Sequence, residues 1–555
     1  MRSCAPSARG GLEVADASLH SAAKSNATFL QRIFGLDTRS LAIFRIVVGV
    51  LILIDLYDRS LYLTDFYTDD GFLTRALVND YLGQMKPPVE DAIPSTMPWP
   101  FWSFHLLSGD VWVAQMLFGL QALLAILLII GWKTRLLTVL NWLLLISLHA
   151  RNPIVLNSGD TILRMMLFWG IFLPLGRHWS FDRWRKKATQ ASASSVVSVA
   201  SAAFIIQLCT MYWFTGWAKM NPTWLKGEAI HNVLNLNIVC RPLGKYLLEY
   251  PDLLGTMCHV TLWMEFGAPF LLFIPWKTAW IRTGLVTIFF GFHLGIVLTM
   301  TVGLFSAISI TCWLALLPSE FWDSRWLRKI IGLTERHREM VPEYSTPATA
   351  LPPKSRWIRA VPGVGSFAAQ GSCAIVLVYI LLWNIWRIQP NDPQLARVMP
   401  VSIRPFGQTL MLAQEFKMFD TPPALDYWFM YEGQLSNGEK VELFTGRPIP
   451  MGKPDDLYFR YIDHRWRRLH VNFLHPDYAL LREPLTEYLV NKWNQSHSED
   501  EQVTRCFFRC YQESTAKNAA AGNLLSDTWV DLQLVESDPF TEMLKALENG
   551  GSILP

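Results

Sequence analysis

Nine runs of mostly apolar residues recur along this chain, near positions 40–57, 111–131, 136–150, 161–176, 198–219, 256–275, 280–303, 305–318 and 370–388. A helix needs about 20 such residues to cross the ~30 Å hydrocarbon layer of a bilayer. Within that layer every backbone hydrogen bond must close inside the element. The pattern therefore predicts an all-α polytopic membrane bundle of about nine transmembrane helices. Segments 280–303 and 305–318 can merge into one broken unit, which makes eight the competing count. Composition agrees, because 51% hydrophobic against 17% charged residues is too apolar for an ordinary soluble domain.

Lys and Arg gather in alternate connections: Lys133 and Arg135, then Arg177, Arg183 and Arg185, then Lys277 and Arg282. Short loops rich in these residues stay in the cytoplasm. The loop after the first span is acidic instead, with Asp58, Asp65, Asp69 and Asp70. The expected organisation is a cytoplasmic N-terminal tail over 1–39 and a transmembrane bundle over 40–318. A basic cytoplasmic connection follows over 319–369, then a final transmembrane helix over 370–388. Residues 389–555 are expected to form an exterior domain, periplasmic or lumenal, of α+β type with a loose C-terminal tail. In it, alternation around Asn437-Gly438 signals a hairpin, segments 454–472 and 478–495 read as helical, and 528–536 reads as a strand.

Several function classes are disfavoured. A net charge of +3 over 555 residues, with no basic stripe beyond a cytoplasmic loop, argues against nucleic acid as a partner. No Gly-rich phosphate loop, H-E-x-x-H or G-x-S-x-G is present. The cysteines lack zinc or thioredoxin spacing, so no metal is indicated. Cys506 and Cys510, if on a strand, lie about 13 Å apart, beyond disulfide reach.

Ionisable groups at membrane depth are costly and each needs a partner or a task. Arg45 and Asp55 lie in the first span, and Arg45 and Glu265 are expected to find partners across the bundle. His149 is expected at an interface between elements. Asp160 and Arg164 are spaced i, i+4, which places them on one helix face within pairing distance. In the topology above, Arg151, Asp160 and Lys219 reach the outer boundary, with His293 in the outer half of its helix, so one cavity can hold them all. Lys219 is followed at once by NPTWLKGEAI, a turn and short helix held by Trp224 and Gly227. A lysine at a helix end can snorkel to water; walled in by apolar groups, it can instead act as a base.

Four stretches carry a family resemblance: DTRSLAIFRIVVGVLILIDL (37–56), IVLNSGDTILR…PLGRHWSFD (154–182), YWFTGWAKMNPTWLKGEAI (212–230) and FHLGIVLTMTVGLFS (292–306). Together these resemble the horizontally transferred transmembrane (HTTM) family, which includes the vitamin K-dependent γ-glutamyl carboxylases. The resemblance runs over about residues 35–318. It implies an outward-facing site in which Lys219 is the base that deprotonates reduced vitamin K. Oxygen then converts the hydroquinone to an epoxide, and the strong base so formed removes a γ-proton from a glutamate that captures carbon dioxide. His293 matches a histidine of the family. Where the carboxylases have an Asn-Asn-His run, this chain has Asn157-Ser158-Gly159-Asp160, and a carboxylate there favours a charged lysine unless Arg164 or Arg151 draws it away.

The catalytic candidates are thus Lys219, His293 and Asp160, with Arg151, Asn157 and Trp224 as contacts for a bound quinone. The expected partners are the lipid bilayer, a reduced vitamin K-type quinone with oxygen and carbon dioxide, and a protein or peptide substrate on the exterior face. Two other readings stand beside the carboxylase-like enzyme. One is a non-carboxylating membrane protein of the same fold that binds a quinone or lipid, and the other is a transporter or assembly factor.

Overall fold

The computed structural model describes residues 29–84, 102–185, 195–324, 327, 364–388, 397–412, 414, 418–422, 425–450, 454, 463–514 and 528–536. The chain between 331 and 363, the tail beyond 540 and most of the segment 454–462, expected to be helical, lie outside these residues.

Helices occupy all nine apolar segments. The first, α1 (Thr38–Ser60), starts where Asp37 accepts a hydrogen bond from Arg39 N at 2.7 Å, a side-chain cap on an otherwise unpaired donor. Then come α2 (Val111–Ile130), α3 (Thr134–Arg151), α4 (Ser158–Gly170), α5 (Val199–Ala218), α6 (Pro251–Gly267), α7 (Thr278–Thr299), α8 (Phe305–Leu314) and α9 (Val364–Ile388). Only five of these, α1, α2, α5, α7 and α9, are long and apolar enough to cross a bilayer. By length and composition, full spans thus number five among the described residues, against the nine expected. The reason lies in packing. With 13 residues, α4 is about 20 Å long at 1.5 Å per residue, and it is buried from Gly159 to Gly170 apart from Thr161. A helix wrapped by others takes its length and polarity from them and not from lipid. By contrast, α2 exposes Trp112, Met116, Leu120, Leu123, Ile126 and Ile130, an apolar stripe at helical spacing suited to a hydrocarbon solvent.

The bundle is built by α1 against α2 and α8, α3 between α2 and α4, and α5 against α6 and α9. Its two ends differ. Near the start of α1, Arg45 donates to the carbonyls of Leu175, His178, Ile129 and Trp179, so the partner expected across the bundle is a cage of carbonyls. Asp182 accepts from Lys133 N and Thr134 N at the same end. The basic connections thus collect where α1 begins. Where α1 ends, the C-terminal region docks.

Among the described residues, that region is a five-stranded antiparallel sheet packed with helices. Its strands are β1 (Leu425–Leu435), β2 (Lys440–Glu442), β3 (Arg447–Pro448), β4 (Val503–Ser514) and β5 (Thr528–Glu536), in the order β3-β2-β1-β4-β5. The hairpin between β1 and β2 turns through Asn437-Gly438, with Gly438 at φ 89°. Helices α10 (His464–Asn472) and α11 (Arg482–Asn494) bury Trp466, Leu469, Leu485 and Leu489. Phe508 of β4 stacks on Tyr431 at 4.5 Å and meets Phe473 at 5.6 Å. Trp466 also meets Phe66 at 4.6 Å, so this apolar core runs on into the bundle. Cys506 and Cys510 both lie on β4, and no disulfide joins them.

A candidate proton-transfer site at Lys219

Lys219 caps the C-terminus of α5, and the next residues fold back over it. Asn221 accepts from Thr223 N and Trp224 N and donates to the carbonyls of Ala218 and Asp420. The short helix Pro222–Leu225 this starts is pinned by Trp224 Nε1, which donates to Phe419 O at 2.9 Å. Lys219 Nζ sits 5.3 Å from the centre of the Trp224 ring and donates to Glu265 Oε2 of α6 at 2.6 Å. The lysine is 3% exposed and Glu265 6%, so the ammonium does not snorkel. Gly216 makes the reach possible, because a Cβ there would meet Phe266 Cβ at 2.9 Å. Its absence lets α6 approach α5 closely.

Asp160 belongs to a second group. Asn157 caps α4, accepting from Gly159 N at 2.7 Å, while Asp160 Oδ2 accepts from Asn157 N at 2.9 Å, a reciprocal capping box. The other carboxylate oxygen accepts from Arg59 Nη2 at 2.8 Å. Arg59 also donates to Asp55 at 2.8 Å and to the Tyr67 hydroxyl at 2.7 Å. Arg164 does not pair with Asp160 as its spacing suggested. With Asp160 fixed by its cap and by Arg59, Arg164 donates to His149 Nδ1 at 2.8 Å and to Met411 O at 2.8 Å. Since a guanidinium only donates, His149 Nδ1 accepts, and the neutral ring carries its proton on Nε2, 3.5 Å from Asp160 Oδ1. Ligand-type atoms of Asp55, His149 and Asp160 lie within 4.8 Å of one another. The guanidiniums of Arg59, Arg164 and Arg465 surround them, which opposes a divalent cation and makes the cluster an ion-pair network.

His293 forms a third group. Its Nε2 shares a 2.7 Å hydrogen bond with the Tyr212 hydroxyl, which also accepts from Trp313 Nε1 at 2.9 Å. Phe289 stacks on Trp313 at 4.1 Å and seals the histidine from water. Tyr212 and Lys219 are seven apart on α5 and so share a helix face. Arg151 lies apart from these, donating to Leu73 O at 2.7 Å.

The sequence-derived residues thus fall into four groups, Lys219 with Trp224, Asp160 with Asn157, His293 alone and Arg151 alone. Among the described residues no hydrogen bond or ion pair joins one group to another. The carboxylate is drawn by Arg59, where sequence reasoning named Arg164 or Arg151. Arg59 was legible in principle from its i, i+4 spacing with Asp55. Arg465 and Tyr212 carried no local signal, since nothing near them marks a partner. Residues 93–322 match the family model of the HTTM domain, a stretch that holds α2 to α8 and all of Lys219, Glu265, Asp160 and His293. No curated protein and no solved structure matches the chain.

Proposed function

We propose that this chain, which carries an HTTM domain over residues 93–322, is an integral membrane enzyme of the carboxylase-like type whose Lys219–Glu265 pair accepts a proton from a reduced quinone. The observation that carries this is the 2.6 Å bond between a buried lysine and a buried glutamate beneath the Trp224 ring. A lone buried ammonium is a poor base, having no lone pair. Glu265 gives its proton a destination, and transfer within the pair leaves a neutral amine without separating charge in a low-dielectric site. The donor set suits a quinol: an amine, a carboxylate and an aromatic face, at the end of a helix long enough to cross the bilayer. A reduced quinone would supply the acidic phenol and the electrons for reaction with oxygen. Lys219 and Glu265 would hold and pass the proton, and Trp224 would wall the amine from water. The basic end of the bundle is the cytoplasmic one in this reading, with the sheet region outside.

One observation favours a second reading, a quinone- or lipid-binding protein that does not carboxylate. The position where the resembling enzymes bring a histidine holds Asp160, locked by Arg59 and Asn157. Purified protein given reduced vitamin K, oxygen and labelled bicarbonate, with glutamate peptides, separates the two. The enzyme reading expects epoxide and fixed label with wild type and neither with Lys219→Ala or Glu265→Gln. Quinone binding, seen as tryptophan quenching, with no turnover across quinone variants supports the second reading and sinks the first.

A further inference from the structure

Arg151 ends α3 and is fully buried, and, unlike Arg59 and Arg465 at the same end of the bundle, it has no carboxylate partner among the described residues. Nη2 donates to Leu73 O at 2.7 Å and, at 3.5 Å, to Thr68 O, while Nε and Nη1 meet no hydrogen-bond partner among the described residues. No described carboxylate lies within ion-pair distance of it, and Asp69, in the same loop as its carbonyl partners, is held by Arg75 at 2.7 Å. Arg45, equally buried, is caged by four carbonyls and leaves only Nε without a partner among the described residues. The fold can therefore satisfy a guanidinium and does not do so here.

Two neighbours share the deficit. Among the described residues, Asn152, fully buried, has both amide atoms unpartnered, and His105, 2% exposed, has an unpartnered Nε2. His105 Nδ1 bonds Ser147 Oγ at 2.8 Å, and Ser147 lies one turn before Arg151 on the same face of α3. Burial and the guanidiniums of Arg151 and Arg59 push the His105 imidazole down to about 3, so near neutral pH it is uncharged. Of the orphan nitrogens, those of Arg151 and the Asn152 amide can only donate, against one orphan acceptor, Asn152 Oδ1. A buried positive charge with open donors calls for an anion, and a guanidinium beside an amide and an imidazole, whose Nε2 donates when Nδ1 accepts from the Ser147 hydroxyl, matches a planar oxyanion.

We propose that Arg151 and His105, with the Asn152 amide beside them, form a binding site for a carboxylate-type oxyanion, either bicarbonate or a side-chain carboxylate. All three residues are buried, and the sheet region docks close to this end of α3, where Asn472 of α10 donates to Ile154 O at 2.7 Å, three residues beyond Arg151. It goes beyond the proton chemistry at Lys219 and does not depend on it.

The test is thermal unfolding of the full chain in detergent, titrated with bicarbonate, acetate or chloride at constant ionic strength, with no quinone present. A ligand that binds only the folded state raises Tm saturably. Bicarbonate, acetate or both should do so while chloride does not; the anion that acts identifies the source. His105→Phe should raise the half-saturating concentration ~10-fold, the equivalent of one hydrogen bond lost. Arg151→Gln should abolish the response, and where that variant fails to fold, His105→Phe decides. If no anion exceeds chloride, so that water alone fills the site, or if His105→Phe responds like wild type, the proposal is wrong.

Discussion

Arg465 Nη2 donates to Asp55 Oδ1 at 2.5 Å, across 410 positions of the chain. The arginine belongs to α10 of the sheet region and the aspartate to the last turns of α1, and their side chains are only 1% and 4% exposed. The second oxygen of Asp55 accepts from Arg59, which in turn holds Asp160. One chain of charges therefore runs from the sheet region into the bundle, beside the proposed anion site.

Removing one member of a buried pair leaves the other charge uncompensated. Arg465→Gln and Asp55→Asn are each expected to cost about 3 kcal/mol of unfolding free energy. The double variant should lose clearly less than the sum, the signature of direct coupling. Denaturant unfolding of the four proteins in detergent measures this; strictly additive losses would show that the two side chains do not interact.

The same logic applies at Lys219, with a different outcome for the double change. Lys219→Met or Glu265→Gln alone should destabilise by about 3 kcal/mol. Lys219→Met with Glu265→Leu replaces the pair by apolar groups and should return to within about 1 kcal/mol of wild type, though inactive. Thermal melts report this, and single variants as stable as wild type would mean that the pair does not form.

In the sheet region, burial pushes the His470 imidazole down to about 4 from its ordinary 6.5, the bond from Nδ1 to Trp466 O opposing this in part. Between those values the unfolded chain binds a proton that the folded one does not, so stability falls as pH drops from 6.5 towards 4. The contribution is about 3 kcal/mol at most over that window. The slope of unfolding free energy against pH should be shallower in His470→Gln. An unchanged slope would assign the acid sensitivity to other groups.

Gly303 sits at φ +60°, and a Cβ there would lie 2.8 Å from the His464 ring. Gly303→Ala thus meets both a backbone conformation that L residues rarely adopt and a clash with α10. A loss of about 1–2 kcal/mol is expected, read as a lower Tm. A neutral substitution would mean that the α7–α8 turn and α10 do not meet as described.

Much of the bundle was legible because apolar runs and helix caps are local. Asn157, two residues before Gly159, marks its own helix start, and Asn437-Gly438 marks its own turn. The span count was less legible, since hydropathy cannot separate a helix facing lipid from one buried by neighbours. Thus α4, with Asp160 and Arg164 near its start, read as a membrane span although protein surrounds it. At the candidate site, Lys219 and Trp224 stood out by motif and do lie together. Glu265, expected to find a partner somewhere across the bundle, finds it in Lys219.

What the sequence by itself determined is the class of solvent this chain needs: apolar segments long enough to cross a bilayer, basic loops in alternation, and a polar C-terminal region with its own turns. These follow from the hydrophobic effect and from backbone hydrogen bonding, which act segment by segment. Only the tertiary structure decided which charge meets which. Lys219 with Glu265, Arg465 with Asp55 and Arg151 with no carboxylate partner among the described residues are outcomes of helix packing, because an ion pair reaches only a few ångströms while its members lie tens to hundreds of residues apart.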